Sequence, residues 1–76
     1  MALDCGAGIG RVSKHLLLKN FDYVEMVEVT KNFIDQATSY FGEELSKRVQ
    51  KFHNCGLESF YPEPNKYDCI WVGLKI

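Results

Sequence analysis

Seventy-six residues with an apolar fraction of 46% and a charged fraction of 25% match the average for folded globular chains, which excludes disorder, a collagen-like repeat and a coiled coil. Nine Lys and Arg against ten Asp and Glu give a formal net charge of −1, so no basic field makes nucleic acid or an anionic membrane the default partner. The longest apolar runs, Leu16–Leu18 and Cys69–Val72, fall far short of the roughly 20 residues that span a bilayer.

Met1 leads straight into Ala2-Leu3-Asp4 with no signal-peptide pattern. Met1–Cys5 is a short apolar run ended by glycines and predicts a buried strand. Arg11–Asn20 carries Val12, Leu16 and Leu17 after Ile9, close to the spacing of one helical face. Tyr23–Val29 alternates and predicts a second strand, with Val24 and Met26 on one side. Thr30 is the expected N-cap of a second helix whose apolar positions are Phe33, Ile34, Ala37, Tyr40 and Phe41. Gly42 can close that helix in a left-handed conformation, or Glu43–Ser46 can add a turn. Val49–Asn54 predicts a weaker third strand. Gly56–Lys66, with Pro62 and Pro64, reads as a loop holding at most one short helical turn. Tyr67–Val72 predicts the final strand.

Strands alternating with helices imply an α/β fold with a parallel sheet. Right-handed crossovers put both helices on one face, in strand order 3-2-1-4, the first part of a Rossmann-like, doubly wound sheet. Positions 1–76 form one unit. His15 and His53 each stand alone and are expected at solvated or edge positions, and Trp71 reads as core. Glu43, Glu44, Lys47, Arg48 and Lys51 read as a hydrated surface cluster. Three widely spaced cysteines, Cys5, Cys55 and Cys69, suggest a reducing compartment and no zinc site.

Asp4-Cys5-Gly6-Ala7-Gly8-Ile9-Gly10-Arg11 is the most informative stretch. Three glycines at a strand-to-helix junction allow a tight turn and an open approach to the helix N-terminus. The spacing is G-x-G-x-G, neither the dinucleotide G-x-G-x-x-G nor a Walker loop. Asp4 at the lip of the strand would repel a pyrophosphate and suit a cationic or amino-bearing ligand. Glu28, at the expected end of the second strand, can accept hydrogen bonds from both hydroxyls of a ribose. Alone it would read as a surface charge, but beside the glycine loop the ligand reading is favoured.

D-x-G-x-G-x-G after the first strand is the signature of class I S-adenosylmethionine-dependent methyltransferases. Ala2–Val12 closely resembles the eukaryotic protein α-N-terminal methyltransferases. So do Met26–Thr30, Tyr40–Glu44, Cys55-Gly56-Leu57, Pro62-Glu63-Pro64 and Tyr67–Val72, so that the resemblance covers positions 2 to 72. That family methylates the exposed α-amino group of proteins beginning Xaa-Pro-Lys. The resemblance implies S-adenosylmethionine as cofactor, a protein N-terminal peptide as substrate of the full-length enzyme, and nuclear and cytoplasmic residence.

It also implies cofactor contacts. Gly6, Gly8, Gly10 and Arg11 form the loop, with Arg11 facing the methionyl carboxylate. Glu28, Val29 and Thr30 hold the ribose, with Glu where Asp is common. Leu57 and Glu58 lie beside the adenine, with Glu58 where Gln is common. Gly73 stands where a Gln contacts the cofactor, Leu74 where a Trp is found, and Trp71 would wall the methyl pocket. The base, the recognition of the substrate's lysine and the proline pocket would lie beyond the fourth strand. The expectation is therefore a cofactor-binding half, truncated at its C-terminus, with no catalytic residue of its own and no metal. Its fourth strand would be an exposed apolar edge that invites self-association. The alternatives are a non-catalytic cofactor-binding or dimerising isoform and, disfavoured by the loop spacing, a dinucleotide-dependent oxidoreductase.

Overall fold

The structure, a computed structural model, describes residues 1–73. Four short strands, β1 (Ala2–Cys5), β2 (Val24–Val27), β3 (Val49–His53) and β4 (Cys69–Val72), pair in parallel in the order β3-β2-β1-β4. This is the partial Rossmann-like sheet that the alternation of elements predicts. β1 is flanked by Val24–Val27 on one side and Cys69–Val72 on the other, each in register with Ala2–Cys5. Its four residues are all buried. β3 slips register between Val24 and Glu25, which leaves Gln50 without an opposite residue.

The first helical stretch, residues 11–20, winds as a π-helix over Ser13–Leu17 and continues into α1 (Leu18–Asn20). The wider π turn changes which side chains face inward. Ser13, Leu17 and Leu18 are buried, while Leu16, expected in the core, is 42% exposed. Ser13 takes an inward position because its hydroxyl donates to the buried Asp4 carboxylate at 2.7 Å.

α2 (Lys31–Ser46) starts after Thr30, whose backbone is extended but whose side chain makes no capping bond. Ala37 and Phe41 are its buried positions. Gly42 is left-handed in φ (81°), and the helix kinks there and runs on to Ser46, so both sequence readings of this end meet in one geometry.

Ala2, Val24 and Met26 point to one face of the sheet and pack with Leu17, Leu18, Ala37 and Phe41. Both helices therefore cover the same face, as right-handed crossovers require. Leu3, Cys5 and Val27 point to the other face, which the β3–β4 connection crosses, placing Cys55, Phe60 and Tyr67 against them. A single 3₁₀ turn, Leu57–Ser59, interrupts that connection.

Two further expectations change, for Trp71 and Arg48, and that for His53 gains partners. Trp71 is 40% exposed and lies beside the likewise exposed Ile70 and Val72 in β4, not in the core. His53 stands at the end of the edge strand β3, within the solvated-or-edge expectation, and there it pairs with Glu25 at 2.8 Å and packs edge-on against Phe60. Arg48 is more than surface charge: Nη2 donates to the Leu18 and Phe21 carbonyls at 2.5 and 2.8 Å, and Nε to the Asp22 carbonyl at 2.8 Å. Those carbonyls end the first helical stretch, where intrahelical partners run out.

Candidate nucleoside site

The loop after β1 is held against β2 by the N–H groups of Gly6 and Ala7, which donate to the Val27 carbonyl at 2.9 and 3.0 Å. Gly6 (φ 68°) and Gly10 (φ 99°) are left-handed, a conformation that favours glycine. A Cβ on Gly6 would lie 3.2 Å from the Gly73 carbonyl oxygen, so the ends of β1 and β4 approach closely there. A Cβ on Gly10 would lie 2.4 Å from Phe41 Cζ. Gly10 therefore serves the packing of loop on helix, and it lines neither cleft described below.

Glu28 follows β2 directly and is 3% exposed. Its Oε1 accepts the Gly8 N–H at 2.7 Å and its Oε2 the Thr30 N–H at 2.9 Å. One carboxylate thus joins the two loops that leave β1 and β2. Beside it opens a cleft of about 450 Å³. Val27, Glu28, Val29 and Thr30 form one wall, and Cys55, Gly56, Leu57 and Glu58 the other. Gly6 and Gly73 complete the lining. The location, at the carboxyl ends of the strands, is where ligands sit in doubly wound sheets.

Seven of the sequence-predicted residues line this cleft: Gly6, Glu28, Val29, Thr30, Leu57, Glu58 and Gly73. Gly8 and Arg11 line a neighbouring cleft of about 400 Å³, together with Ile9, Val12, Phe33 and Gln36. Leu74 lies outside the described residues. Sequence reasoning missed Val27, Cys55 and Gly56, although Cys55-Gly56 directly precedes a residue it did select. A Cβ on Gly56 would lie 2.3 Å from Glu58 Oε1, so the Glu58 carboxylate folds back over the glycine.

Asp4 does not face the cleft. It is 1% exposed on the helix side of the sheet and bound to Ser13. Burial raises its carboxyl above the ordinary value, the Ser13 hydrogen bonds oppose that, and the nearby Glu28 charge adds to it. Burial likewise raises the Cys5 thiol, with Asp4 adding to the effect, which disfavours a reactive thiolate. Among the described residues no Lys, Arg or His lines the larger cleft, whereas two carboxylates do. Its charge is therefore wrong for a pyrophosphate and suited to a hydroxyl-bearing, neutral or cationic nucleoside.

A family profile described as AdoMet dependent proline di-methyltransferase matches residues 1–76. The chain belongs to that family. It is 59% identical over 71 residues to N-terminal Xaa-Pro-Lys N-methyltransferase 1-B of Xenopus laevis, and 56% identical to the corresponding enzymes of Danio rerio and Homo sapiens. These alignments cover 93% of this chain and 31% of each relative. A solved SAM-dependent methyltransferase from Leishmania major superposes with a TM-score of 0.81 at 38% identity, covering 91% of this chain and 27% of that one. The chain thus spans about a third of the length of its family relatives.

Proposed function

We propose that this chain is the S-adenosylmethionine-binding part of a methyltransferase that modifies the α-amino group of proteins beginning Xaa-Pro-Lys. The observation that supports it most is the cleft: a buried carboxylate at the end of β2, a second carboxylate opposite, and no cation among its described lining. The family supplies the cofactor class, and the residues present fit it. Glu28, an acceptor-only carboxylate that lines the cleft, is placed to take the ribose hydroxyls from the wall where it also accepts from Gly8 and Thr30.

When bound, the cofactor supplies an electrophilic methyl group on a sulfonium. The work of this chain is to bind and orient. Glu28 takes the ribose. Val29 and Leu57, both exposed and apolar on opposite walls, flank the base. Gly6 and Gly73 keep side chains out of the space between β1 and β4. Arg11, in the adjoining cleft, offers its guanidinium to the amino-acid carboxylate of the cofactor. The groups that deprotonate the amine and read the peptide are proposed to lie outside these 76 residues.

Calorimetry of the 76-residue chain tests the cofactor. S-adenosylmethionine is expected to bind and NAD not to; NAD binding of equal strength would overturn the reading. Glu28→Gln turns an amide N–H₂ toward a backbone N–H and is expected to weaken S-adenosylmethionine by about 2 kcal/mol, roughly 30-fold. Labelled methyl transfer to a Xaa-Pro-Lys peptide addresses the division of labour. Efficient transfer by this chain alone would place the substrate machinery inside it and refute a cofactor-only role.

A further inference from the structure

Glu25 sits in β2, 3% exposed, on the sheet face that carries no helix. It does not line the cleft, yet three side chains converge on it. The Tyr67 hydroxyl donates to its Oε1 at 2.6 Å, His53 Nε2 lies 2.8 Å from the same oxygen, and Lys66 Nζ lies 3.1 Å from Oε2. His53 is the last residue of β3, and Lys66 and Tyr67 stand just before β4. One buried carboxylate therefore holds both ends of the connection between those strands.

The cleft wall Cys55–Glu58 begins two residues after His53. Two further ties continue from the clamp. The Phe60 ring packs on His53 at 4.8 Å between centroids. Asn54 Nδ2 donates to the Glu28 and Val29 carbonyls at 2.9 and 3.0 Å, which binds this wall to the opposite one. Fixing both ends of a connection removes most of the freedom it would otherwise keep.

We propose that Glu25 is a positioning residue: from outside the cleft it fixes the Cys55–Glu58 wall against the Glu28 wall by clamping both ends of the β3–β4 connection. The ligand part of this inference rests on the nucleoside reading of the cleft; the clamp itself does not. Burial raises the Glu25 carboxyl, but the bonds from His53, Tyr67 and Lys66 outweigh it and hold it below the ordinary 4.5. The clamp is therefore charged at neutral pH. The other titratable groups around it are the Cys5 thiol on β1, in the same apolar cluster as Tyr67, and Glu63, 3.8 Å from Lys66.

Amide hydrogen exchange on the 76-residue chain, wild type against Glu25→Gln, tests the clamp. The Ser59 and Phe60 amides, bonded to the Gly56 and Leu57 carbonyls, are expected to exchange about tenfold faster in the variant, with the Ala2 and Val24 amides unchanged. Unchanged exchange throughout, or equal acceleration throughout, would overturn the proposal. Tyr67→Phe removes one clamp bond and keeps the ring. If Glu25→Gln does not fold, the same exchange comparison is made with Tyr67→Phe, and the same outcomes support or overturn the clamp. Calorimetry with S-adenosylhomocysteine is the second arm. The folded variant is expected to bind about tenfold more weakly, and equal affinity counts against positioning. A wild-type chain that does not bind S-adenosylhomocysteine would sink the nucleoside reading, while the exchange comparison still tests the clamp by itself.

Discussion

Gly6 and Gly10 are both left-handed, but they answer to different neighbours. Gly6 looks onto the cleft and the Gly73 carbonyl, and Gly10 onto Phe41 and Met26. Gly10→Ala combines an unfavourable φ with overpacking and is expected to cost about 3 kcal/mol in chemical denaturation. The two buried strand carboxylates respond to pH with opposite signs. Asp4 has a raised value in the fold, so the folded state holds its proton longer and stability declines as pH rises above the ordinary 3.8. Asp4→Asn keeps an acceptor for Ser13. It is expected to match wild type in thermal melts below that pH and to exceed it increasingly above. Glu25, with a lowered value, adds stability above 4.5 that is lost as pH falls through its folded value.

At the scale of elements, the first helical stretch is held at its end by Arg48. A lysine lacks the planar fork that reaches several carbonyls at once. Arg48→Lys is expected to lose about 2 kcal/mol by denaturant titration. Element order, strand order and the left-handed backbone at Gly42 were legible because they follow from glycine placement, local periodicity and the handedness of crossovers. The inward face of residues 11–20 was not, because Ser13 is drawn in by Asp4 and a polar residue carries no apolar signal. The Val29 and Leu57 sides of the cleft were legible from the family resemblance. The Glu25 cluster was not, since its partners stand 28 and 42 residues away and no local pattern joins them. Arg48 was misread, and the partners of His53 went unforeseen, for the same reason.

For the whole molecule, the sheet has unequal edges. β3 presents Gln50 and Lys51 among its exposed residues, whereas β4 presents Ile70, Trp71 and Val72 with no charge. An uncharged, apolar edge strand is a template for pairing. The 76-residue chain is expected to show a mass that rises with concentration in sedimentation, and Ile70→Lys with Val72→Lys to return it to the monomer. A monomer at all concentrations in the wild-type chain would remove the edge as an association surface.

The bridge between Gly8 and Glu28 spans 20 residues of sequence, while Glu25 and Tyr67 are 42 apart. Short-range closures cost less chain entropy and precede long-range ones on the path to the native state. The β1-to-α2 side of the cleft is therefore expected to assemble first, with the Cys55–Glu58 side closing onto it last. An order of closure set by sequence separation would complete the wall that carries Glu28 first and the Cys55–Glu58 wall afterwards.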